Sequence, residues 1–75
     1  MNIELLVKMA NEISMFFATE SAPPQAANDV ATHLRRFWEP RMRHQIITYY
    51  EKEHGEGLND LARRAVALLA ADSRQ

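Results

Sequence analysis

Apolar and polar positions recur along this chain at helical spacing, and three short clusters interrupt the recurrence: Ser21-Ala22-Pro23-Pro24, Glu39-Pro40 and Gly55-Glu56-Gly57. They divide the 75 residues into four segments, about Asn2 to Thr19, Pro24 to Trp38, Pro40 to Glu53 and Leu58 to Ala71. No stretch alternates in the manner of a strand, and no internal repeat or low-complexity tract is present. The pattern predicts an all-α fold, a small bundle of four short helices forming a single helical domain over residues 1–75 with the last few residues flexible.

In the first segment, at about 100° per residue, Glu4, Lys8, Asn11, Glu12 and Thr19 share a polar sector only about 100° wide. Ile3, Leu6, Val7, Ala10, Ile13 and Phe17 form one apolar stripe, and Leu5, Met9 and Phe16 form a second beside it. Three short companions have little capacity to cover both. Met15 falls inside the polar sector, so it and the second stripe point to an external contact surface rather than to a core helix alone.

The second segment opens on prolines, which fit a first turn because their missing amide has no intrahelical acceptor. Ala26, Ala27, Val30, Ala31, Leu34, Phe37 and Trp38 take one face, with Gln25, Asn28, Asp29, Thr32, Arg35 and Arg36 opposite. Pro40 makes Trp38-Glu39-Pro40 a corner and places Glu39 at or near the cap of the third helix, where glutamate is not a favoured capping residue. That helix carries Met42, Ile46, Tyr49 and Tyr50 on one side and stops at the glycine pair. The fourth aligns Leu58, Leu61, Ala62, Ala65 and Leu69.

A chain this short buries little surface on folding, and with no cysteine it has neither disulfides nor thiolate ligands to support it. A partner is the remaining support. Hydrophobic residues at 47% exceed what a disordered chain carries, and a formal net charge of -1 supplies no bulk field toward nucleic acid or an anionic membrane. The N-terminal apolar stretch is broken by Glu4, Lys8 and Glu12 and lacks a basic lead-in, so it reads as neither a signal peptide nor a membrane span, and the expected location is cytoplasmic.

Catalytic patterns are missing. Ser14, Ser21 and Ser73 lie in no nucleophile elbow, and no glycine-rich phosphate loop occurs. His33, His44 and His54 are too far apart in sequence for the i, i+3 or i, i+4 pairs that put two imidazoles on one helical face. Glu51, Glu53 and Glu56 read as a solvated helix end. No catalytic, cofactor-binding or metal-ligating residue is therefore expected in this chain.

The concentrated feature is Leu34-Arg35-Arg36-Phe37-Trp38-Glu39-Pro40-Arg41-Met42-Arg43, four arginines and two aromatics around a proline corner without a lysine. Arginine binds carboxylates and carbonyls through a planar fork and stacks on rings, and both Arg and Trp are enriched in binding hot spots. Three readings stay open: a protein-docking patch, intramolecular pairing with the abundant glutamates, and nucleic-acid contact. On the first, Phe37 and Trp38 anchor a partner while Arg35, Arg36, Arg41 and Arg43 reach acidic or carbonyl groups, with Met15 and Phe16 adding apolar contact. The alternative for Trp38 is that it closes the domain's own core.

Leu6-Val7-Lys8-Met9-Ala10-Asn11-Glu12-Ile13 followed by Phe16-Phe17, together with His33 to Arg43, resembles the small delta subunit of cytoplasmic NAD-dependent, molybdenum-containing formate dehydrogenases. The resemblance runs from Leu5 to about Ile46; family members more often carry aspartate where Glu39 stands. It implies a complex whose other subunits hold the molybdenum cofactor, iron–sulfur clusters and FMN and oxidise formate. This chain would hold none of these and would act as a non-catalytic accessory subunit docked on a larger, most naturally the catalytic, subunit. A transient assembly factor for the same enzyme and a small helical nucleic-acid binder are the competing readings. Neither nucleic acid nor membrane is an expected partner.

Overall fold

Each helix starts and stops where the backbone chemistry of the breaks requires it. A computed structural model describes residues 2–72, which form α1 (Ile3–Glu20), α2 (Pro23–Phe37), α3 (Pro40–Glu53) and α4 (Asp60–Asp72), with no strand among them. The expected flexibility of the last few residues lies outside the described residues. Asn2 caps α1, its Oδ1 accepting the Glu4 amide at 2.8 Å, and Glu4 adds a negative charge to the first turn. Pro23 holds Ala22 extended (φ -63°, ψ 142°) and takes the first position of α2, one residue earlier than the sequence pattern suggested.

At the second corner Trp38 and Glu39 are both extended, and α3 begins at Pro40. Glu39 occupies the N-cap without a side-chain hydrogen bond, as suits a side chain poorly shaped for that role. The third turn departs from the expected stop on glycine alone. His54 already adopts the left-handed conformation (φ 58°), followed by Gly55 (φ 67°) and Gly57 (φ 92°). A side chain at Gly55 would press on Leu58 Cδ1 at 3.1 Å and Tyr50 Cδ1 at 3.2 Å, so close approach as well as conformation favours glycine there.

The fourth helix starts at Asp60, two residues later than expected. Leu58 leaves the helical register to plug the core at 4% exposure, and Asn59 Oδ1 accepts the Ala62 amide at 2.8 Å, a cap that sets the start. Arg63 closes the preceding loop by donating to the Leu58 carbonyl at 3.1 Å.

α1 and α4 each pack against all three other helices, whereas α2 and α3 scarcely touch one another. The core joins Leu6 and Ala10 of α1, Val30, Ala31 and Leu34 of α2, Ile46 and Ile47 of α3, and Ala62, Ala65, Val66, Leu69 and Ala70 of α4, closed by Trp38 and Leu58. Many of these are alanines, which permit close helix approach but bury little apolar area each, so the few large side chains carry most of the burial. Ser14 is buried among them at 1% exposure with its hydroxyl unpartnered among the described residues.

A polar clamp ties the two ends of the fold together. Asn11 donates from Nδ2 to the Gly57 carbonyl at 2.9 Å and accepts the Asn59 amide on Oδ1 at 2.8 Å, fastening the middle of α1 to the entry of α4.

Candidate functional site

The surplus of apolar surface expected on the first helix stands on the outside of the bundle. Leu6, Ala10 and Ser14 are the buried line of α1. Rotated away from it, Leu5 is 44% exposed, Phe16 58% and Met15 66%. Met9 of the same second stripe is partly covered and packs on the core.

Phe16 does not stand alone. Its ring meets Phe17 edge-on at 5.1 Å between centroids, Phe17 meets His33 of α2 at 5.8 Å, and His33 lies 4.7 Å from Phe37. Such edge and tilted geometries are the favourable ones for rings. The result is a continuous aromatic row across α1 and α2, half-buried in the middle and exposed at both ends, with Phe37 66% exposed. The Arg36 guanidinium carbon lies 5.7 Å from the centre of the Phe37 ring, within cation–π range. A shallow depression lined by Phe17, Asp29, Thr32, His33, Arg36 and Phe37 runs beside the row.

The arginine corner is thereby split. Arg36 and Phe37 join the aromatic row, whereas Arg35 turns to the opposite side and pairs with Asp72 at the end of α4. Arg43, expected to reach a partner's groups, is engaged by its own chain: Nη1 donates to the Trp38 carbonyl and, at 3.2 Å, to the Arg35 carbonyl. It thus satisfies carbonyls at the C-terminus of α2, where a cation is favoured by the helix dipole. Arg41 is exposed and, among the described residues, carries no ion pair.

Trp38, expected to anchor a partner contact, is 5% exposed and packed in the chain's own core, whereas its neighbour Phe37 is 66% exposed. The physical reason is the corner itself: the extended backbone at Trp38 and Glu39 swings successive side chains to opposite sides, and the larger goes inward. Intramolecular pairing of the corner's arginines occurs, Arg35 with Asp72 and Arg43 with the Arg35 and Trp38 carbonyls.

Sequence reasoning did not place His33 and Phe17 in this face. The signal for His33 was present: it precedes Phe37 by four residues, the spacing that brings two side chains together on a helix. Phe17 sits on the buried side of the wheel, and only the tertiary fold shows it bridging the helices. Among the described residues no group of three or more His, Cys, Asp or Glu is arranged to hold a metal, and no helix is long and apolar enough to cross a membrane.

Residues 5–66 match the model of the NADH-dependent formate dehydrogenase delta subunit family, FdsD. The chain belongs to that family. The match extends the resemblance seen in the first two thirds of the sequence through the glycine-bearing loop and into α4. Neither the curated proteins nor the solved structures contain a match to this chain.

Proposed function

We propose that this delta-subunit family member is a non-catalytic accessory subunit that docks on a larger subunit of a cytoplasmic NAD-dependent formate dehydrogenase through the aromatic face of α1 and α2. The observation that carries the reading is the continuous row of rings from Phe16 through Phe17 and His33 to Phe37, exposed at both ends, with Met15 and Leu5 also exposed on α1. Water-exposed rings of this size on a small domain are costly to solubility, and covering them with a partner is the usual reason for their presence. Phe16 and Phe37 are the anchors, Arg36 and Arg41 the polar rim.

Formate chemistry belongs on this reading to the partners, which hold the molybdenum cofactor, iron–sulfur clusters and FMN. The donor set of this chain does not fit the metal groups among them: with no cysteine it offers no thiolate to iron or molybdenum. The catalytic subunit is the proposed docking site.

Co-expression of a tagged chain with the other subunits tests the proposal. The Phe16→Ala/Phe37→Ala double variant should keep its helical circular dichroism yet co-purify at least tenfold less, because hot-spot truncation commonly costs about 2 kcal/mol or more. Enzyme made without the chain should be reduced in amount but turn over normally per molybdenum bound. Full retention of the double variant in the complex would refute the docking face, and a chain missing from active enzyme would make it a transient assembly factor instead.

A further inference from the structure

The two exposed ends of the aromatic row carry opposite charge. On α1, Glu12 and Glu20 lie one turn before and one turn after Phe16, and both are exposed. On α2, Arg36 adjoins Phe37, its guanidinium resting against that ring. Among the described residues none of these three is in an ion pair; the pairs that form use Arg35 with Asp72 and Arg63 with Asp60. Asp29, the one acid on α2, accepts the Ser21 hydroxyl at 2.6 Å. Glu39 at the corner is exposed and balanced by the exposed Arg41 two residues on.

A face with an acidic aromatic end and a basic aromatic end is complementary to itself turned by a half-rotation. A two-fold axis through the middle of the row, near Phe17 and His33, sets Phe37 and Arg36 of one copy against Phe16, Glu12 and Glu20 of the other, twice over. That is the isologous arrangement of most homodimers. The rings would be covered at both ends by rings, and each guanidinium, held in place by its own phenyl group, would present its fork to the facing carboxylates. A standard interface takes about 800 Å² per partner, about a sixth of the chain's 4907 Å² of accessible surface.

We propose that the chain, free of other subunits, forms a two-fold homodimer through this face, pairing Arg36 of one copy with Glu12 and Glu20 of the next. The inference stands apart from the docking proposal, since self-pairing needs no second protein. Where both hold, the dimer shields the rings until a larger subunit displaces one copy, and self-association competes with docking.

Sedimentation of the purified full chain over a concentration series tests this, with circular dichroism confirming that each variant is folded. The wild-type chain should be dimeric at micromolar concentration. Arg36→Glu and Glu12→Arg/Glu20→Arg should each weaken dimerisation at least tenfold, by placing like charges opposite one another. Mixed in equal amounts, these two variants should re-form a dimer, because the heterologous pair restores both sets of contacts. A wild-type chain that stays monomeric up to millimolar concentration overturns the proposal. So does a mixture of the charge-reversed variants that gains no dimer over either alone. Neither result touches co-purification with formate dehydrogenase subunits, so failure here is distinguishable from failure of the docking reading.

Discussion

Replacing Trp38 by alanine should unfold this protein, whereas replacing its neighbour Phe37 should leave it folded. Trp38 is 5% exposed and belongs to the core cluster, while Phe37 is 66% exposed. Truncating a buried tryptophan costs about 3 to 5 kcal/mol through lost burial and the cavity left behind. A domain of 75 residues holds only about 4 to 11 kcal/mol in total at the usual stability per residue. The loss is therefore a large part of what is available. At about 4 to 8 °C per kcal/mol for a domain of this size, the melting temperature of Trp38→Ala should fall by at least about 12 °C or the transition should vanish. Phe37→Ala gives up only its covered third, about 1 kcal/mol or less. Thermal melts followed by circular dichroism at low protein concentration distinguish the two. A Trp38→Ala chain melting within about 5 °C of the parent would refute the assignment of Trp38 to the core, and with it the division of labour at the corner.

Asn59→Ala removes the cap of α4 and the 3.5 Å side-chain hydrogen bond to the Asn11 carbonyl, while the Asn59 backbone amide still donates to Asn11 Oδ1, and should cost about 1 to 2 kcal/mol in chemical denaturation; Asn59→Asp, which keeps the capping oxygen, should lose clearly less, and equal losses would refute the capping role. Gly55→Ala should destabilise by about 1 to 2 kcal/mol, since alanine would have to hold a left-handed backbone and its methyl group would crowd Leu58 and Tyr50; an unchanged denaturation midpoint would contradict this. Ser14→Ala should be neutral or stabilising by up to about 1 kcal/mol, because it removes a buried hydroxyl without a partner among the described residues and improves helix propensity. A loss above 1 kcal/mol on that substitution would mean the hydroxyl is engaged.

The helices were legible because proline and glycine act through local sterics, which any single sequence displays. Pro23, Pro40 and the Gly55 and Gly57 pair each fall at an observed break. The surplus apolar stripe of α1 was legible too, since azimuth on a helix follows from spacing alone. Phe37 shows where that reasoning stops. Its azimuth lies between those of Ala26 and Val30, both buried, yet it sits at the last position of α2, where no other element covers it. Trp38 and Phe37 are adjacent and similar in chemistry, and only the extended corner decides which goes in. Arg43 and the clamp of Asn11 with Gly57 and Asn59 depend on main-chain carbonyls and amides brought together by the fold, and main-chain groups leave no mark in the order of side chains. The late start of α4 has the same origin, because Leu58 fits the helical stripe by spacing but is drawn into the core ahead of the cap.

Trp38 is the single tryptophan of the sequence, and it lies in the core while the exposed rings are phenylalanines. The molecule is thus a spectroscopically labelled protein whose label reports one event. Indole emission will be blue-shifted and shielded from acrylamide in the native state, and will move to longer wavelength on unfolding. Association through Phe16 and Phe37 leaves its surroundings unaltered. When a partner subunit brings tryptophans of its own, energy transfer aside, the emission of this chain stays a constant background, and any red shift in it registers loss of the bundle itself.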